Sequence, residues 1–189
     1  ISPATGTAFA LGDSGDTFTV PSGATIVNSG TATGFGGGKI VQVVNVMDGA
    51  YASGTTVMET TTIPQNTEGD EYMTLAITPT SATNKLLINV TVNIGASTTV
   101  LVCTALFQDT TANAIGGAMM GIGRGDVANV LTYSHYMTSG TTSATTFKVR
   151  CGTPSGAGAG TCSFNGGSST GLFFGGVMSS SITIMEIEV

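Results

Sequence analysis

The residues best suited to chemistry are few and widely spaced. The densest acidic cluster is Glu68-Gly69-Asp70-Glu71, just before a strand-like run. Catalysis by carboxylates needs two of them held in a rigid groove, whereas a run of like charges normally faces water. We therefore interpret the cluster as a solvated loop. A divalent-cation site is the alternative, although the spacing does not match the calcium-loop pattern D-x-[DN]-x-[DN]-G.

His135 is the single histidine of the chain. One histidine cannot supply a multi-histidine metal site within one chain, and no serine-elbow motif accompanies it, so a Ser-His-Asp arrangement is not predicted. Alternation along the strand places His135 on the same face as Tyr133 and Met137. We expect a structural or interface role for the imidazole, and we predict neither a metal nor a cofactor.

The stretch Gly36-Gly37-Gly38-Lys39 fails as a phosphate-binding loop. That motif needs a glycine five positions before Gly38, where Thr33 stands, and Ser or Thr after the lysine, where Ile40 stands. The chain thus offers no phosphate loop, no catalytic carboxylate pair and no activated nucleophile. We predict that it is not an enzyme.

The three cysteines, Cys103, Cys151 and Cys162, form no C-x-x-C motif. Cys103 lies in an apolar run and is predicted to be a core thiol. Cys151 and Cys162 flank a glycine-rich loop, so a hairpin would bring them opposite each other and allow a cross-strand disulfide. Small buried thiols are the other interpretation, and both stay open.

Charge is scarce along the whole chain. Charged residues make up 8% of the 189 residues, the net charge is -6, and Ser and Thr together are about a quarter. Five scattered basic residues do not make the basic patch that a nucleic-acid partner needs, and no apolar window is long enough for a membrane span. A surface this poor in charge favours an obligate oligomer. Because the first residue is Ile1, we expect a longer protein with an anchoring part.

The elements that position these residues are predicted to be strands. No segment shows sustained helical periodicity, and alternating apolar runs follow one another at the spacing of a sandwich or jelly roll. We therefore predict an all-β fold, with a jelly-roll-like β-sandwich over residues 39–189. The strands are predicted at 39–47, 55–62, 71–78, 85–94, 100–107, 114–122, 130–138, 145–151, 161–164 and 181–189.

The first 38 residues follow a different pattern. Val20, Ile26 and Ala32 recur every six residues, with turn-prone tripeptides between them. One inward apolar residue per hexad and glycine-bearing corners are what a triangular β-prism or β-solenoid stalk shared by three chains needs. We predict such a stalk over residues 1–38, ending in a glycine-rich joint at 34–38. A flexible linker is the alternative.

Two stretches carry a family resemblance. Gly34 to Gly38 lead into Lys39-Ile40-Val41-Gln42-Val43-Val44, and the chain ends in Ser181-Ile182-Thr183-Ile184-Met185-Glu186-Ile187-Glu188-Val189. This pattern resembles the distal region of tailed-bacteriophage tail fibres, where a slender trimeric stalk ends in a β-sandwich knob that contacts the host. The resemblance implies a homotrimer on the virion, outside the cell. Its implied partners are a bacterial surface receptor (protein or glycan) and upstream fibre or virion proteins.

Two loops hold the residues predicted to contact such a receptor. In the turn Arg124-Gly125-Asp126, Arg124 and Asp126 are candidates as part of a charged tip loop. The loop 165–176 adds Asn165, Phe173 and Phe174; its two phenylalanines between glycines are either a plug buried at a subunit interface or an apolar binding patch. Four tyrosines and no tryptophan do not indicate a strong sugar-binding site.

These patterns predict a non-enzymatic attachment protein. Three copies acting together would raise avidity without any new kind of contact. The alternative is a structural virion appendage or decoration protein that binds only other virion proteins. A glycan-cleaving tailspike is disfavoured, because the chain has neither a long repeat body nor a paired-carboxylate groove.

Overall fold

A computed structural model of the chain describes residues 14–15, 17, 19–25, 39–98, 101–122, 124–156 and 159–189. The chain divides into two units, Ile1–Phe35 and Gly36–Val189. In the first unit, Ala24 donates its backbone N–H to the carbonyl of Pro21 at 3.1 Å, closing a turn. The glycine-rich joint and most of the predicted stalk, including Ile26 and Ala32, lie outside the described residues.

The second unit is built almost entirely of antiparallel strands, which confirms the predicted all-β class. Helix in its described residues is limited to short 3-10 turns such as Phe174–Gly176, and none of these residues form a helix able to span a membrane. The strands are β1 (Ile40–Asp48), β2 (Ala52–Gly54), β3 (Asp70–Ile77), β4 (Lys85–Ala96), β5 (Leu101–Gln108), β6 (Gly116–Gly121), β7 (Asn129–Thr138), β8 (Thr145–Gly152), β9 (Cys162–Phe164), β10 (Gly166–Gly167), β11 (Gly171–Leu172) and β12 (Ser180–Ile187).

The main strands form two sheets that share one core. The first contains β1, β12, β4 and β7 in that order, and the second contains β3, β8, β5 and β6. The short strand β9 pairs with Ile94 to Ala96 of β4, beyond the reach of β12, and β2 lies on its outer edge. These additions make the first sheet six-stranded.

The pairing identifies the sandwich as a jelly roll. Among the eight main strands the first pairs with the last, β1 with β12, and the second with the seventh, β3 with β8. The third pairs with the sixth, β4 with β7, and the fourth with the fifth, β5 with β6. These four nested pairs form one long hairpin. The hairpin is rolled up so that β12 also pairs with β4, and β8 with β5. The result is the double-sheet arrangement that was predicted.

Strict alternation on β4 places most of its apolar residues between the sheets. Five side chains that the sequence predicts on one face are fully buried, namely Leu86, Ile88, Val90, Val92 and Ile94. They share a core with Phe147 and Val149 of the facing sheet. Each such burial stabilises the fold by roughly 1.5–3 kcal/mol. β4 is therefore the central element of the core, with partner strands along both of its edges.

One predicted strand is wrong. Residues 55–62 form no strand; residues 55–64 form a strap across the outer face of the second sheet, where Met58 packs on Cys103 and Phe107. The strap is tied at both ends, since Met58 N–H donates to Thr153 O at 2.9 Å and Ala114 N–H donates to Pro64 O at 2.9 Å. Threonine favours strands, but this segment does not join the edge of either sheet.

The hairpin that would have brought Cys151 and Cys162 opposite each other is absent. The connection after β8 crosses from one sheet to the other, so Cys151 pairs with Asp70 in the second sheet while Cys162 pairs with Ala96 in the first. Both thiols are buried and free, as is Cys103. Of the two interpretations, the structure shows buried thiols, and no disulfide is formed.

A buried carboxylate closes the end of the sandwich at which β12 finishes. Glu186 accepts hydrogen bonds from Thr80 N–H and Oγ1 (2.8 and 2.7 Å), Ser81 N–H (3.3 Å), Asn84 Nδ2 (2.7 Å) and Gln42 Nε2 (3.1 Å). Burial raises the pKa of Glu186, but the bonds from Asn84, Thr80 and Ser81 together outweigh it and hold the pKa below its usual value. The anion therefore ties β12 to the turn between β3 and β4.

Candidate functional site

The two ends of the sandwich differ in the connections that they carry. One end has the short turns 78–84, 109–115 and 139–144, and here Glu188 N–H donates to Lys39 O at 2.9 Å, joining the first and last strands. The opposite end has the longer connections. We call residues 49–51, 124–128 and 165–179 the loop end. Both loops predicted to contact a receptor belong to it.

Asp126 joins these two loops. Its carboxylate accepts the backbone N–H of Ser169 at 2.7 Å, the hydroxyl of Ser169, and the hydroxyl of Ser168 at 3.3 Å. These bonds, above all those from Ser169, lower the pKa of Asp126. Its own N–H donates to Ala96 O at 2.8 Å. The carboxylate thus serves as a clamp between loops, while Arg124 of the same turn is exposed.

Asn165 is buried and therefore does not face a partner, contrary to its prediction as a contact residue. Its Nδ2 donates to Asp48 O at 2.7 Å and to Ala50 O at 3.0 Å, and its Oδ1 accepts the hydroxyl of Ser180 at 2.8 Å. The backbone has φ 56°, a left-handed conformation that asparagine tolerates better than most residues. Asn165 organises the base of the loop.

The two adjacent phenylalanines point to different environments. Phe173 is half-buried, and its ring lies so close to Gly167 that a Cβ there would approach it to 3.0 Å. Phe174 is 79% exposed and has φ 49°. A left-handed non-glycine residue costs about 1–2 kcal/mol, and such strain clusters at functional sites. Phe173 therefore anchors the loop, and Phe174 projects from it.

Phe174 is part of a small apolar surface. Leu172 is 43% exposed and Val177 is 84% exposed, and we call Leu172, Phe174 and Val177 the apolar tip. Gly175 and Gly176, which lie between Phe174 and Val177, have φ 62° and 94°, respectively. These left-handed conformations allow the chain to reverse within three residues. Gly176 also packs against the backbone of Gly49 in the bend between β1 and β2. The apolar tip is thus held on a fixed base.

The acidic cluster does not assemble into a cation site. Glu68 accepts Gln65 N–H at 3.1 Å, and Asp70 accepts Thr56 N–H and Oγ1 at 3.1 and 2.7 Å. Glu71 instead forms ion pairs with Lys148 at 3.5 Å and with Arg150 at 3.4 Å. Each carboxylate therefore has its own partner, and the described residues contain no group of three metal-ligating side chains.

Burial shifts the pKa of two thiols and of the single imidazole. Burial raises the pKa of Cys103 to about 11 and that of Cys151 to about 12, so both stay protonated at neutral pH. Burial lowers the pKa of His135, whose side chain faces inward on β7 beside Gly116. The predicted shared face of Tyr133, His135 and Met137 is confirmed.

An open pocket of about 520 Å³ lies between the strap and β6. Its lining includes Met58, Glu59, Ile63, Cys103 and Met119. The raised pKa of Cys103 keeps the thiol in this pocket protonated at neutral pH. The pocket is not predicted from the sequence, because residues 55–62 are predicted as a strand.

Leu172 and Val177 were also missed as exposed residues. The signal that could have found them is the density of glycine around them. The apolar residues at 172–177 follow neither the strand nor the helix period, and glycines lie on either side of them. Such residues cannot all turn inward in a short loop. Ser168 and Ser169, the partners of Asp126, carry no recognisable signal in the sequence.

Comparisons with known proteins add fold likeness only. No family model and no curated sequence matches the chain. The C-terminal domain of the sugar-binding protein EclA is 14% identical over 60% of this chain and 72% of its own, with a TM-score of 0.37. A chain of the infectious bursal disease virus Gt strain is 15% identical over 78% of this chain and 38% of its own, with a TM-score of 0.41.

A bacteriophage tailspike is a more distant neighbour. The enzymatically active domain of tailspike protein 4 of bacteriophage CBA120 is 14% identical over 67% of this chain, with a TM-score of 0.26. The match spans 19% of that protein. These structural neighbours are a sugar-binding domain, a virus particle chain and a phage tailspike. With every TM-score below 0.5, none of them carries an argument about function.

Proposed function

We propose that the chain is a non-enzymatic attachment protein, the distal tip of a homotrimeric phage tail fibre, and that its apolar tip contacts a receptor on the bacterial surface. One observation supports this most: Phe174 and Val177 are 79% and 84% exposed on a loop that is fixed from beneath by Asn165 and Asp126. Large apolar side chains presented on a rigid base are typical of interface anchors.

The position of the apolar tip agrees with this role. The sandwich is entered at Lys39 and left at Glu188, next to each other at one end, and the apolar tip is at the opposite end. A protein that is attached to a particle through its entry end presents the loop end outward. The protein would then act on the virion, outside the cell.

The test is adsorption to bacteria. Labelled full-length chain is incubated with a broad panel of strains, and a strain that binds is used to compare Phe174→Asn and Val177→Ser with the wild type. Asparagine tolerates a left-handed backbone, so Phe174→Asn removes the ring without adding strain. Losing one well-packed anchor costs about 2 kcal/mol or more, so we expect binding to weaken at least tenfold.

Ile63→Asn is the matched control, since Ile63 is 57% exposed but lies on the strap. It is expected to bind like the wild type. Binding that survives both tip substitutions, or that Ile63→Asn weakens equally, would contradict the proposal. A folded wild type that adsorbs to no strain and blocks no infection would favour the structural appendage instead.

A further inference from the structure

The outer face of the six-stranded sheet carries an aligned apolar row. Val43 of β1 is paired with Met185 of β12, which is paired with Leu87 of β4, which is paired with Tyr136 of β7. The two ends of this row are open, since Val43 is 55% and Tyr136 is 57% exposed. Directly paired residues in neighbouring strands project from the same face, so the four side chains form one band.

Three further exposed side chains extend this apolar surface. Ile40 (51%), Met47 (68%) and Val130 (59%) project from the same face, on β1 and β7. Five of the thirteen large apolar side chains that are exposed in the described part of the chain therefore lie on this one face. A monomer rarely exposes so concentrated an apolar surface without using it.

The same face is nearly free of charge. On β1, β12, β4 and β7 the one charged side chain that projects outward is Lys85, and its Nζ donates to Thr138 Oγ1 at 2.7 Å. The opposite sheet carries Glu71, Lys148 and Arg150 on its outer surface. Copies of a chain with net charge -6 repel one another, so they meet at least cost where charge is absent.

Several polar residues on this face already pair with one another. Between the apolar row and Met47, Asn45 Nδ2 donates to Thr183 Oγ1 at 2.8 Å, and Ser134 Oγ donates to Asn89 Oδ1 at 2.7 Å. Polar groups that are already paired can be covered without losing a hydrogen bond. Four strands about 4.8 Å apart and about 30 Å long present roughly 600 Å² in projection, close to the ~800 Å² per partner of a standard interface.

We propose that copies of this chain associate with one another through the outer face of the six-stranded sheet. The occupant of the apolar row is the corresponding face of neighbouring copies, with one half of each face against the other half of the next, so that a ring of three closes. The proposal rests on the proposed function in one respect, because it assigns the contact that a homotrimer would use. It leaves the loop end, at the far ends of the same strands, free for a receptor.

The test is the mass of the full-length chain in solution. Sedimentation and native mass spectrometry at micromolar concentration are applied to the wild type, Val43→Lys, Tyr136→Lys and Met119→Lys. Met119 is a matched control, since it is 53% exposed but lies on the other sheet. We expect an oligomeric wild type, a shift to monomer with at least tenfold weaker association for the two face variants, and no change for Met119→Lys.

Circular dichroism verifies that each variant is folded. If Val43→Lys does not fold, Val43→Gln replaces it. A monomeric wild type overturns the inference. An oligomer that persists in both Val43→Lys and Tyr136→Lys overturns it as well. Either result is expected if another segment of the same chain covers the face. Dissociation by Met119→Lys alone overturns it too. Because mass is measured without bacteria, failure here is distinguishable from failure of the adsorption test.

Discussion

A single buried amide determines the shape of the loop end. Asn165 has the sequence context of a surface turn, followed by two glycines, yet its side chain bonds Asp48 O, Ala50 O and Ser180. The amide supplies donors to a bend that interrupts the edge strand between β1 and β2. Local sequence indicates the left-handed turn but contains no information about these distant carbonyls.

Replacing Asn165 with alanine is expected to destabilise the protein by about 2–4 kcal/mol, because two buried carbonyls lose their donor and alanine is strained at φ 56°. Asn165→Gly keeps the backbone relaxed, so its loss of unfolding free energy is expected to be about 1 kcal/mol smaller than that of the alanine variant. Urea unfolding at neutral pH measures both. An alanine variant as stable as the wild type would show that these hydrogen bonds are not needed.

At the scale of elements, much of the fold is predictable from local patterns. Alternation and turn residues place nine of the ten predicted strands within a few residues of their observed positions, since each strand has one buried face. Pairing between distant strands is not encoded locally. Residues 55–62 are therefore predicted as a strand although they form the strap, and the spacing of Cys151 and Cys162 allows a hairpin that the fold does not contain.

Glu186 shows how one element is fixed by charge. Its pKa is lowered in the folded state, so its stabilisation is present above the unfolded value of about 4.3 and is lost as the pH falls through the folded value. Glu186→Gln is expected to cost about 1–3 kcal/mol at pH 7. The difference from the wild type is expected to narrow below pH ~4.

Chemical denaturation across this pH range measures the effect. Glu188→Gln is the control, because Glu188 is exposed two residues along the same chain end. It is expected to unfold like the wild type at every pH. A gap between Glu186→Gln and the wild type that stays constant down to strongly acidic pH would mean that the carboxylate is not the titrating group.

At the scale of the whole molecule, the jelly roll separates three surfaces. The outer face of the six-stranded sheet is apolar and nearly uncharged, the opposite sheet carries the charges and the strap, and the loop end carries the apolar tip. The sandwich and both loops are predicted from the sequence. The contact by which Asp126 joins these loops is not, because it exists only after the strands are rolled together.

The central claim is that attachment uses the loop end. Hydrogen–deuterium exchange of the full-length chain, free and bound to envelope fragments of a strain that it adsorbs to, tests this most directly. The account predicts that binding slows exchange at residues 171–178 and leaves the strap at 55–64 unchanged. Protection of the strap and its pocket, with no change at the apolar tip, would contradict it.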